Sequence, residues 1–138
     1  MWWFYAILSA LFASLTAIFA KLGIANISSN LATGIRTLVI LVLVWSIVLI
    51  KDEHKGISAI PRNVIIFLVI SGIATGLSWL FYFKALQLGN ASQVAAVDKL
   101  SVALTIVLAV IFLNETLSLR TALGAALIIL GTFILIKP

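Results

Sequence analysis

Two ionisable side chains stand where nearly everything around them in the sequence is apolar. Arg36 lies about six residues inside one long hydrophobic run and Asp98 about as far into another; at about 1.5 Å of rise per helical residue, both sit roughly 9 Å below one surface. Asp98 is the only carboxylate well inside any such run, so it must be paired, hydrated or protonated. Arg36 and Lys99 are its candidate partners, although Lys99 is turned about 100° from Asp98 around a helix. Two roles are open to this cluster: holding an anionic or zwitterionic group, or carrying a proton on Asp98. A third is an ion pair that does no more than fix helix register, as paired charges near helix ends often do.

Weaker polar groups fall into stripes. At about 3.6 residues per turn, Tyr5, Ser9, Ala13, Thr16 and Ala20 share one helix face. Ser71, Thr75, Ser78 and Tyr82 share another, and Asp98, Ser101 and Thr105 a third. Such stripes either line a common cavity or contain hydroxyls that bond back to their own helix carbonyls while small neighbours permit close packing. Trp79 is a candidate aromatic cavity wall. Trp2 and Trp3 read as interfacial anchors, and Tyr5 suits either place. Gly72 and Gly76, and Gly124 and Gly131, read as packing surfaces, the second pair at a dimer seam.

The elements that must position these residues are membrane helices. Hydrophobic residues make up 64% and charged residues 9% of the 138-residue chain, far from the near-half and quarter of a soluble domain. Crossing about 30 Å of hydrocarbon takes roughly 20 apolar residues. The sequence predicts an all-α integral membrane domain with spans at Trp2–Ala20, Leu31–Ile50, Val64–Phe83, Val94–Leu113 and Leu119–Ile136, the last extended by a turn at its start. These runs are too long and continuous for barrel strands. Pro61 is expected to open the third span, Gly89-Asn90 to separate the third from the fourth, and Ser118 to cap the fifth. The first segment lacks a basic leader and a clear cleavage site, so it reads as a retained helix.

The net charge of +5 does not indicate nucleic-acid binding, because the basic residues are dispersed at segment ends, where lipid headgroups favour them. With no cysteine, thiolate catalysis and thiolate metal sites are excluded. His54, beside Asp52 and Glu53, belongs to a hydrophilic loop, and no metal site is expected there. No nucleophile–base pair or phosphate-cradling glycine loop occurs, so neither catalytic residues nor a cofactor are expected and the chain is not read as an enzyme. Five spans put Lys51, Lys55, Arg62 and Arg120 on one side and Lys21, Arg36, Lys84, Lys99 and Lys137 on the other. Four against five gives almost no orientation under the positive-inside rule. The alternatives are a miscounted span or a few dominant flanking charges, against insertion both ways up with antiparallel pairing.

In order, Phe19-Ala-Lys-Leu-Gly23 running to Arg36, Tyr82-Phe-Lys-Ala-Leu-Gln-Leu-Gly89, Ala96-Val-Asp-Lys-Leu-Ser101 and Phe112-Leu-Asn-Glu-Thr-Leu-Ser118, followed by the Gly124–Gly131 helix, resemble the EamA module of the drug/metabolite transporter superfamily. The resemblance covers essentially the whole chain. Most family members carry two five-helix modules in inverted orientation; this chain has one. The resemblance therefore implies half of a ten-helix inverted-repeat transporter, completed by an antiparallel homodimer in the lipid bilayer. It implies a small-molecule substrate, amino-acid-like or otherwise polar or amphipathic, moved by alternating access through a central cavity. The expected location is the cytoplasmic membrane of a prokaryote, crossed several times. Arg36 matches the family's basic residue at the start of its second helix, and Glu115 the acid after the fourth, where a helix-linking role is expected. A related family of small antiparallel-dimer exporters places a Glu in its first helix; this chain has none there, which weakens proton-coupled export of cationic drugs unless Asp98 substitutes. Other readings are a multidrug exporter, a lipid-linked-sugar flippase, or an accessory subunit that transports nothing without a partner half-module.

Overall fold

Continuous runs of Leu, Ile, Val, Ala and Phe satisfy every backbone group only as helices when no water is at hand. The computed structural model describes residues 1–136. Among them it contains five helical segments long and apolar enough to span a membrane and no strand. Helix α1 is Trp2–Gly23 and α2 is Ser29–Ile50. After a 3-10 helix at Glu53–Ala59 comes α3, Arg62–Leu88. The fourth span is built from α4, Ala91–Asp98, and α5, Leu100–Leu113; α6 is Leu119–Ile136.

Local chemistry explains the boundaries. Ser28 caps α2, its hydroxyl accepting from the Leu31 N–H at 3.2 Å. Pro61 stands just before α3 rather than inside it, and its carbonyl accepts from the N–H groups of Val64 and Ile65. The third helix runs five residues beyond Phe83, because nothing from Lys84 to Leu88 breaks a helix before Gly89-Asn90 does. The α5–α6 turn is closed by Asn114 at φ 53°, a left-handed position Asn tolerates, with the N–H groups of Asn114 and Glu115 reaching back to the Ala109 carbonyl. Ser118 caps α6, accepting from the Thr121 N–H at 3.1 Å. The extra starting turn expected for that span is not formed, since α6 begins at Leu119, directly after this cap. The 51–63 loop, read as simply hydrophilic, holds a 3-10 turn entered through Asp52 at φ 58° and braced by an Asp52–Lys55 ion pair at 2.8 Å.

The fourth span is interrupted where one continuous helix was expected. The Lys99 N–H donates back three residues to Ala96 (3.1 Å), and Val102 donates to the Lys99 carbonyl (3.0 Å). These short-range bonds tighten the register at Lys99, so Asp98 closes α4 and Ser101 belongs to α5. The stripe Asp98–Ser101–Thr105 therefore does not follow one uninterrupted helix.

The described residues fall into two packed units, one of residues 20–87 and the other of residues 1–19 with 88–136. In the first, Ile24, Phe83 and Leu86 are almost wholly buried, joined by Ala20, Ser29, Ala32 and Thr33. Lipid tails are as apolar as these side chains, so close packing and hydrogen bonds hold the unit more than expulsion from water. Lys21 Nζ donates to the Leu86 carbonyl (2.6 Å), and Gln87 Nε2 to the Ile27 carbonyl (2.9 Å). The Leu86 acceptor is one of the carbonyls that the end of a helix leaves without an intrahelical donor. In the other unit α6 packs on α4 and α5. The buried side chain of Thr132 donates to the Ala96 carbonyl of α4 (3.0 Å) and to its own-helix Ile128 carbonyl (2.9 Å). Gln93 Nε2 reaches the Leu135 carbonyl at 3.4 Å.

Candidate functional site

Arg36 is placed by α2, seven residues after its first residue, and half-buried. Two rings from α3 meet it. The guanidinium carbon is 4.4 Å from the Phe83 ring centroid and 5.6 Å from that of Trp79. Trp79 and Phe83 are four residues apart, hence neighbours on one face of α3. Phe83 is only 1% exposed, so the platform under the guanidinium is fixed by the core of the 20–87 unit. Trp79 keeps part of its surface open. Tyr82 lies edge-on to Phe83, centroids 6.0 Å apart. A guanidinium held over aromatic faces is stabilised by their quadrupoles while its in-plane N–H fork stays directional.

Asp98 and Lys99 stand together at the break in the fourth span. Lys99 Nζ stands 3.6 Å from the Asp98 carboxylate. Both side chains are open, Asp98 at 41%, and the pair is loose. Arg36 makes no ion pair among the described residues.

The remaining sequence candidates are spread along their helices. Tyr5 and Ser9 are exposed on α1, Tyr5 with an edge-on contact to Phe4 (5.8 Å), whereas Thr16 is half-buried one residue before buried Ala17. Ser71, Thr75 and Ser78 are exposed on α3, with the Thr75 hydroxyl donating back to the Ser71 carbonyl at 2.9 Å. Back-bonding thus accounts for Thr75, the bland alternative for such a hydroxyl. Ser101 and Thr105 are exposed on α5. At Gly72, Gly76, Gly124 and Gly131 an added Cβ would meet nothing within 4 Å. Among the described residues no group of three His, Cys, Asp or Glu could hold a metal ion. Lys137, counted in the charge balance, lies outside the described residues.

Sequence reasoning missed Phe83 and Thr132. The signal for Phe83 was its spacing of four from Trp79, in a helix that also carries Tyr82. For Thr132 it was a lone hydroxyl beside Gly131 in the otherwise apolar second half of α6.

Five apolar spans carrying an intramembrane arginine and an intramembrane acid define a multi-pass, all-helical membrane protein with polar groups built into its spans. The chain belongs to the EamA-like transporter family, whose model matches residues 1–137. It is 49% identical over 134 residues to a Sinorhizobium protein described as an uncharacterized transporter in the cobO 3' region, covering 97% of this chain and 95% of that one. It is also 31% identical over 94 residues to an uncharacterized protein of Methanocaldococcus jannaschii, covering 68% of this chain and 67% of the other. No solved structure matches significantly. The family and the first relative make the chain a membrane transporter and point away from an enzyme.

Proposed function

We propose that this chain moves small polar or amphipathic metabolites by alternating access as an antiparallel homodimer in the cytoplasmic membrane of a prokaryote. The observation that carries this reading is where the polar groups of the spans lie in a single protomer. Asp98, Ser101 and Thr105, and Tyr5 and Ser9, are exposed, although polar side chains in a membrane should face protein or water. A second copy covers them and encloses a polar passage. The open space beside Gly72, Gly76, Gly124 and Gly131 is free for the backbone of another helix to approach closely. Four basic residues against five across five spans let copies insert either way up, and an inverted second copy recreates the two-module arrangement with its inverted repeat. In this reading Arg36, Trp79, Tyr82 and the Asp98–Lys99 pair contribute to substrate binding or coupling, with Gly124 and Gly131 at the dimer seam.

Liposomes holding only the purified chain test it by counterflow of a panel of labelled amino acids and other small metabolites. Flux from this single polypeptide is the expected result. Flux that appears only after a second, different half-module is added would replace the proposal with an accessory-subunit role.

A further inference from the structure

Arg36 has the features of a binding group. It is a permanent cation inside a membrane helix, where an uncompensated charge is strongly disfavoured. The only acids of its own unit, Asp52 and Glu53, lie beyond the far end of α2, roughly 24 Å along the helix. Asp52 is moreover taken by Lys55 at 2.8 Å. Two rings flank the guanidinium, and the nearer, Phe83, is immobilised by burial. Among the described residues the guanidinium makes no ion pair, and its N–H edge is a planar fork matched to two coplanar oxygens.

From this we infer that Arg36, Trp79 and Phe83 form the recognition site for an organic monocarboxylate with an apolar body. The inference rests on the transport reading and names the substrate class for it. One carboxylate neutralises one guanidinium, whereas a phosphate dianion leaves an excess negative charge in a medium of low dielectric constant. The carboxylate takes the Arg36 fork, and the apolar body lies along the part of the Trp79 ring that the protein leaves open.

Equilibrium binding to the purified full chain in lipid nanodiscs tests this with benzoate, benzyl alcohol, benzylamine and inorganic phosphate as probes. Benzoate is expected to bind at least roughly tenfold more tightly than the other three, the gain given by hydrogen bonds to a charged partner. Arg36→Gln removes that preference. Arg36→Lys, which keeps the charge and loses the fork, restores part of it. Trp79→Ala weakens benzoate while sparing its preference over benzyl alcohol. The comparison among probes on the unaltered chain holds even if a variant fails to fold. Equal binding of benzoate and benzyl alcohol, tighter binding of phosphate, or an unchanged preference in a folded Arg36→Gln variant would overturn the site. Counterflow of other solutes alongside indifference to benzoate overturns the site and leaves transport standing. Arg36-dependent benzoate binding without flux of any solute supports the site and removes the transport reading.

Discussion

Replacing Thr132 by valine keeps the volume of a side chain that is only 3% exposed and deletes its hydroxyl. That hydroxyl has one hydrogen directed between two acceptors, Ala96 O on α4 at 3.0 Å and Ile128 O on its own helix at 2.9 Å. Neither carbonyl is orphaned by the change. Ala96 O still accepts from Lys99 N–H at 3.1 Å, and Ile128 O keeps its place in the α6 ladder. No full desolvation penalty arises, and the loss is that of one shared interhelical hydrogen bond. Such bonds in membranes contribute about 0.6 kcal/mol on average and about 1.7 at most. Thr132→Val is therefore expected to cost about 1 kcal/mol, roughly a fivefold change in the unfolding equilibrium. Thr75→Val is the matched control, because the Thr75 hydroxyl bonds only within α3, to Ser71 O. It should stay within about 0.5 kcal/mol of wild type, as surface substitutions do. Reversible unfolding of the purified protein in mixed micelles, followed by circular dichroism, measures both. Equal losses for the two variants, or none for Thr132→Val, would refute the claim that this hydroxyl ties α6 to the interrupted span.

Other consequences are as direct. Ser118→Ala removes the acceptor for Thr121 N–H and should destabilise the protein by about 1 kcal/mol, with faster amide exchange confined to the first turn of α6. Gly124→Leu adds a side chain where the protomer has open space, so monomer unfolding should be unchanged while the dimer fraction, read by light scattering over a concentration series, falls. The double change Lys51→Ala and Lys55→Ala takes two of the four basic residues from one side and should tip copies toward one orientation, read by side-specific labelling.

The spans were legible because twenty-residue apolar runs have one solution in lipid, and the caps at Ser118 and the break at Gly89-Asn90 followed from side-chain and backbone chemistry of single residues. The interruption at Lys99 was not legible. Residues 91–113 contain no glycine or proline, and the tightened turn coincides with a long-range hydrogen bond from Thr132 that no local window contains. The Arg36 site was half legible. An intramembrane arginine is conspicuous, and Trp79 could be proposed as an aromatic wall, but Phe83 looked like the end of a span because nothing forecast that α3 continues to Leu88. Lys99 was legible as a partner of Asp98 although it stands about 100° around a helix from it; the long Lys side chain spans that angle, and the contact at 3.6 Å is loose.

The relative orientation of neighbouring copies in a bilayer tests antiparallel pairing most directly. Single cysteines placed in the 51–63 loop of the cysteine-free chain are labelled with a membrane-impermeant reagent before and after permeabilisation, alongside cross-linking between copies. Opposed copies give comparable labelling from both faces and cross-links that join opposite ends of two protomers. Labelling from one face alone, with only parallel cross-links or none, would contradict antiparallel pairing.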